Sequence, residues 1–220
     1  MNPDKAIILT NGPSFEKFIE FIKNNQTMDW REYCVITVNR WSRIFEIYSL
    51  PLPNVVIIGK NSLPENMFFL KNTPTIQFYG VEPKEKIRFK NYEPLYFGKK
   101  VSYGVEINHL PSLWWSGVYC IQWAVQREFK KIYVFGMTCT DQPDYKDNFV
   151  RAPIPDDNMK RIYNYMNELK KIPNLSSILF FEEADNHIFR TRLGLRKPSD
   201  DKGDDGGVIL KSPPSEGHQE

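Results

Sequence analysis

The chain has 220 residues, 41% of them apolar, and a formal net charge of +2, which fits one globular core and falls short of the clustered basic footprint of a duplex-DNA binder. No run approaches the length of a membrane span and the first residues show no apolar signal region, so a cytoplasmic protein is expected. Cys34, Cys120 and Cys139 are odd in number and lack disulfide or zinc spacing; Cys34 and Cys120 lie inside apolar runs and read as small core residues in a reducing compartment.

The first element is an aliphatic run, Ala6 to Leu9, typical of a strand covered on both faces. Asn11-Gly12-Pro13-Ser14 ends it. Ser14 stands where a helix N-cap belongs, and Phe15, Phe18, Ile19 and Ile22 follow at helical spacing. A strand passing through a tight turn into a helix aims the helix's first N–H groups at the strand's carboxyl end, where an anion such as a phosphate is attracted. An ordinary connecting turn is the other reading. The sequence lacks G-x-G-x-x-G and the P-loop pattern, so neither a Rossmann dinucleotide site nor a Walker-type triphosphate site is supported.

Cys34 to Val38 is a second strand run, ending in Asn39-Arg40-Trp41, and Val55 to Ile58 is a third, ending in Gly59-Lys60-Asn61-Ser62. Ligands of open parallel sheets bind beyond the carboxyl ends of the strands, so Asn11, Asn39 and Asn61 are expected to converge on one crevice, although Asn is also common in turns. A fourth run, Thr75 to Tyr79, precedes a basic and aromatic segment, residues 80–110, with no regular period, which reads as a cover.

Trp114-Trp115-Ser116-Gly117-Val118 opens another helix, in which Ser116 repeats the placement of Ser14, and Ile132 to Phe135 with Gly136 is the next strand. A polar lid, residues 138–155, leads to a helix capped by Asp156-Asp157 and striped by Met159, Ile162, Tyr163, Met166 and Leu169. Ile178 to Phe181 is the last strand run. This order predicts a single doubly wound, Rossmann-like α/β domain over residues 1–195 with a mostly parallel sheet. Residues 196–220, rich in Lys, Ser, Asp, Gly and Pro, form a predicted disordered tail.

In Asn11-Gly12-Pro13-Ser14, Trp115-Ser116-Gly117-Val118-Tyr119 and Lys131-Ile132-Tyr133-Val134-Phe135-Gly136, the chain resembles the small bacterial sialyltransferases that build the outer sugars of lipooligosaccharide. The resemblance covers roughly residues 5–190. It implies an inverting, metal-independent transfer of a sugar from a cytidine monophosphate-sugar, a co-substrate rather than a cofactor, to a glycan or similar hydroxyl acceptor. It also implies that Asn11, Gly12, Pro13, Ser14, Ser116 and Gly117 border the donor and that Asn39 and Asn61 contact it. Tyr145 matches the second of two lid tyrosines that hold the leaving phosphate; Thr140 replaces the first. The family's general base is a histidine near the position of Pro153, yet no histidine lies between Leu110 and Asn186, and Thr138 replaces an expected Asp.

His109 and His187 are the imidazoles available as a base outside the tail, with a structural histidine as the alternative for each. Two further readings stay open. One is a non-catalytic nucleotide-binding or decayed relative; the other is a transferase resembling pterin pyrophosphokinases, which needs Mg²⁺ and clustered carboxylates such as Asp141, Asp144 and Asp147. The mild positive charge fits an anionic ligand or peripheral contact with a membrane surface, with nucleic acid a weaker expectation.

Overall fold

The computed structural model describes residues 3–12, 15–24, 29–81, 88–95, 101–102, 105–106, 116–137, 164, 168–169, 171–172, 174 and 179–181. Strand β1 (Lys5–Leu9) is an interior strand of the sheet, and Ala6, Ile7, Ile8 and Leu9 are all buried. Side chains alternate across a strand, so a run apolar at every position has both faces covered. Helix α1 (Phe15–Asn24), β2 (Tyr33–Val38), α2 (Trp41–Ile47), β3 (Val55–Gly59), α3 (Leu63–Asn72), β4 (Gln77–Val81) and β5 (Tyr92–Pro94) follow in order, then the short hairpin β6 (Val101–Ser102) and β7 (Val105–Glu106), then α4 (Ser116–Gln126), β8 (Lys131–Phe135) and β9 (Leu179–Phe181).

The main sheet has seven strands in the order β5-β4-β3-β2-β1-β8-β9. Every pairing in it is parallel. The chain therefore walks outward from β1 to β5, returns across the sheet through α4, and resumes on the other side of β1. This is the doubly wound, Rossmann-like α/β architecture that the element order predicts.

Two cores follow from the alternation along the strands. Ile7, Leu9, Val35, Val56, Ile58, Phe78 and Phe135 face Phe15 and Phe18 of α1, Trp41, Ile44 and Phe45 of α2, and Leu70 of α3. Ala6, Ile8, Cys34, Ile36, Ile57, Ile132 and Val134 face Val118, Cys120, Ile121, Ala124 and Val125 of α4. Right-handed crossovers dictate this division: a chain moving one way across a parallel sheet lays its helices on one face, and after reversing it uses the other.

Residues 80–110 carry more regular structure than their lack of period suggests. Strand β5 adds to the edge of β4 in parallel, with Phe78 opposite Tyr92, and β6 pairs antiparallel with β7. A three-residue strand has no room to show a period; buried side chains hold it instead. Tyr92 lies over Gly80 so closely that a Cβ there would meet its ring and hydroxyl. Buried Asn91 donates from Nδ2 to the carbonyls of Thr73 (3.2 Å) and Ile76 (3.0 Å).

Of the helix predicted after Asp156, only Asn164, Glu168 and Leu169 are helical among the described residues, and Leu169 is buried in the α4 core. The 138–155 lid and the 196–220 tail lie outside the described residues. Among the described residues, no helix is long and apolar enough to cross a membrane.

Cys34 and Cys120 are free, buried thiols. Burial pushes Cys34 up to about 12 and holds Cys120 well above the usual thiol value. Above the ordinary thiol range the unfolded chain releases protons that the folded chain keeps, so stability falls as pH rises from that range toward about 12. Tyr33 and Tyr133, also raised by desolvation, act in the same direction at higher pH. We expect Cys34 and Cys120 to resist an aromatic disulfide reagent at pH 8 until denaturant is added, and the urea midpoint to decline between pH 8 and pH 10. Rapid labelling of either thiol in the native chain would contradict their burial.

Candidate functional site

The reversal of chain direction beside β1 parts the connections leaving β1 and β8, which makes the carboxyl edge there the place where an open α/β sheet offers a crevice. The ladder continues past both strands. Thr10 N–H donates to the Phe135 carbonyl (2.9 Å) and Gly12 N–H to the Gly136 carbonyl (2.8 Å). Gly136 has a φ of +76°, and a Cβ on it would lie 1.9 Å from the Thr10 carbonyl oxygen. Only glycine fits this approach.

From the crevice floor α1 leaves on one face, with Phe15 N–H closing on the Gly12 carbonyl at 3.0 Å. On the other face the first turn of α4 packs against the end of β1: a Cβ on Gly117 would stand 3.3 Å from Thr10 Cγ2 and 3.6 Å from Met137 Sδ. Two helices thus begin at one edge from opposite faces, and both macrodipoles present their positive ends there.

Asn39, just past β2, ties this edge together. Its Oδ1 accepts from Gly59 N–H at the end of β3 (2.8 Å), and its Nδ2 donates to Ser116 Oγ (3.0 Å). The Ser116 hydroxyl in turn donates to Asn39 Oδ1 at 3.3 Å. Gly59 N–H can only donate, which fixes the orientation of the Asn39 amide, so that Ser116 Oγ accepts from the amide N–H and turns its own proton back to the amide oxygen. Asn39 has a φ of +42°, a conformation that Asn tolerates better than most side chains. Its own N–H reaches the Ile57 carbonyl (3.1 Å).

Behind it, buried Asn66 of α3 donates to the carbonyls of Asn39 (3.0 Å) and Ser62 (2.7 Å) and accepts from Trp41 Nε1 (3.0 Å). At the rim Arg40 pairs with Glu65 at 2.9 Å, both about two-fifths exposed, and such a pair contributes little. Asn39, Gly59, Asn66 and Ser116 are all uncharged, so at these residues an anion meets oriented dipoles. Among the described residues no group of three or more His, Cys, Asp or Glu is placed to hold a metal ion.

Asn11, Gly12, Asn39, Ser116 and Gly117 lie along one edge. Asn61 is at the same edge, exposed in a single 3-10 turn (Lys60–Ser62) after β3. Pro13, Ser14, His109, Tyr145 and His187 lie outside the described residues. Sequence reasoning missed Thr10, Gly59, Asn66 and Gly136. Gly59 and Gly136 carried a signal, a glycine closing each strand run; Asn66, one polar residue inside a helix, carried none. Compared with protein-family models, with curated proteins and with solved structures, the chain finds no match.

Replacing Asn39 separates its two duties. Asn39→Ala loses the acceptor for Gly59 N–H and places a Cβ-bearing residue without polar compensation at positive φ, at a cost of about 2–4 kcal/mol, while Asn39→Gly relieves the backbone part and costs about 1 kcal/mol less. Urea denaturation of the two variants checks the order. Equal stability would mean that the positive φ imposes no strain.

Proposed function

We propose that the carboxyl edge between β1 and β8 binds a nucleotide, and that the chain is a sialyltransferase-like glycosyltransferase. It moves a sugar from a cytidine monophosphate-sugar to a glycan or similar hydroxyl acceptor, with inversion and without a metal. The observation that carries this reading is the Asn39 junction, which fastens the first turn of α4 over the ends of β2 and β3. Among the described residues that the resemblance assigns to the donor, Asn11, Gly12, Asn39, Asn61, Ser116 and Gly117 lie on that edge. A monophosphate in this position is met by the N-terminal ends of α1 and α4.

A cytidine monophosphate leaving group carries one phosphate whose growing charge such dipoles stabilise, and the acceptor hydroxyl needs only to lose its proton late in the reaction. In this reading Tyr145 holds the leaving phosphate, and His109 or His187 takes the proton. The bond from the anomeric carbon to the phosphate oxygen breaks as the bond to the acceptor oxygen forms on the opposite face.

A second reading, a nucleotide binder without turnover, is favoured by the absence of any histidine between Leu110 and Asn186, where the family keeps its base. One experiment addresses both. In a thermal-shift screen of cytidine, uridine, guanosine and adenosine nucleotides with and without Mg²⁺, cytidine monophosphate is expected to stabilise the chain, by about 2.7 kcal/mol at one hundred times its dissociation constant, equally in both conditions. Stabilisation by a triphosphate only with Mg²⁺ would instead point to pyrophosphokinase-like chemistry. Binding without release of cytidine monophosphate from any donor in the presence of glycan acceptors would leave the binder.

A further inference from the structure

We propose that Asn66, which the resemblance leaves without a role, is a positioning residue for the nucleotide edge, an inference that rests on the nucleotide reading above. Asn66 is 2% exposed on α3, and its amide is fully used. Both Nδ2 protons are donated, to the Asn39 and Ser62 carbonyls, and Oδ1 accepts from Trp41 Nε1. The three bonds join the β2–α2 connection to the β3–α3 connection, neighbours across two parallel strands. A buried primary amide supplies two donors and an acceptor in one plane, which no other side chain of that size offers.

The consequence travels through Asn39. Its backbone is held from one side by its own N–H on the Ile57 carbonyl and from the other by Asn66 on its C=O. With both peptide groups fixed at positive φ, the side-chain amide is aimed at Gly59 and Ser116 before any ligand arrives. Arrangement in advance lowers the ordering cost of binding. Asn66 therefore acts on the ligand without touching it.

Asn66→Asp is the test, because it keeps the volume and the acceptor for Trp41 but removes both donated bonds. Affinity for cytidine monophosphate is measured in the parent, Asn66→Asp, Asn39→Gly and the double variant, and amide hydrogen exchange is followed at Gly59 and at Ile8 and Ile36 of the sheet centre. We expect Asn66→Asp to weaken binding about tenfold in the parent background and to add nothing once Asn39→Gly has removed the side chain being aimed. Gly59 exchange should quicken at least about tenfold relative to the strand amides, a selective effect that general loosening would not produce.

Equal losses in both backgrounds, unchanged affinity, or exchange that rises uniformly would overturn the proposal. If the parent does not bind cytidine monophosphate, the nucleotide reading falls and this role falls with it, while selective quickening at Gly59 would still show that the junction exists. Trp41→Phe, which keeps a six-membered aromatic ring but removes the N–H that orients Asn66 together with the rest of the indole, covers a failure of Asn66→Asp to fold. It should weaken binding about threefold in the same selective pattern, and no change would also overturn the proposal.

Discussion

Everything in this fold depends on the parallel pairing of β1 along both of its edges, with β2 on one side and β8 on the other. Ile8 lies opposite Ile36 and Val134 in one register, so the strand is enclosed by chain from near and far in the sequence. Loop-closure entropy opposes a contact between residues so far apart, and burial of aliphatic side chains on both faces must outweigh it. That burial fixes the rest. Helices α1 to α3 cover one face and α4 the other because the chain reverses direction beside β1.

The same reversal creates the edge at which the proposed site lies. Since Thr10 and Gly12 remain bonded to Phe135 and Gly136 beyond the strands, that edge is backbone on both sides. Its walls are the first turns of α1 and α4. Asn39 then sets how close α4 stands to β2 and β3, through hydrogen bonds whose individual net worth is about 1 kcal/mol but whose loss would strand a half-buried polar group. Uncharged donors held in this way suit a phosphate whose charge changes during a reaction, because they require little rearrangement when that change occurs.

Much of the fold was legible because doubly covered strands leave unbroken aliphatic runs. The runs read at Cys34 to Val38, Val55 to Ile58 and Ile132 to Phe135 lie within one residue of β2, β3 and β8. Strand β5 was not legible: three residues ending in Pro94 are held by Tyr92 against Gly80 and by Asn91, contacts that leave no pattern along the chain. At the site, the sequence showed that Asn39 follows a strand but not what its amide meets, since its partners are 20 and 77 residues away. Asn66 was invisible for the same reason. A polar residue inside a helix usually faces water, and only the neighbouring connections turn this one into a buried bridge.

The central claim is that the carboxyl edge at β1 and β8 is where a nucleotide binds, and mapping the ligand onto the chain tests it most directly. Titrating an isotopically labelled chain with cytidine monophosphate should produce saturable shifts in the backbone amides of Gly12, Gly59, Ser116, Gly117 and Gly136. The amides of Lys5, Tyr33 and Lys131, at the opposite edge of the same strands, should stay unmoved. Shifts confined to that opposite edge, or none that saturate, would contradict the account.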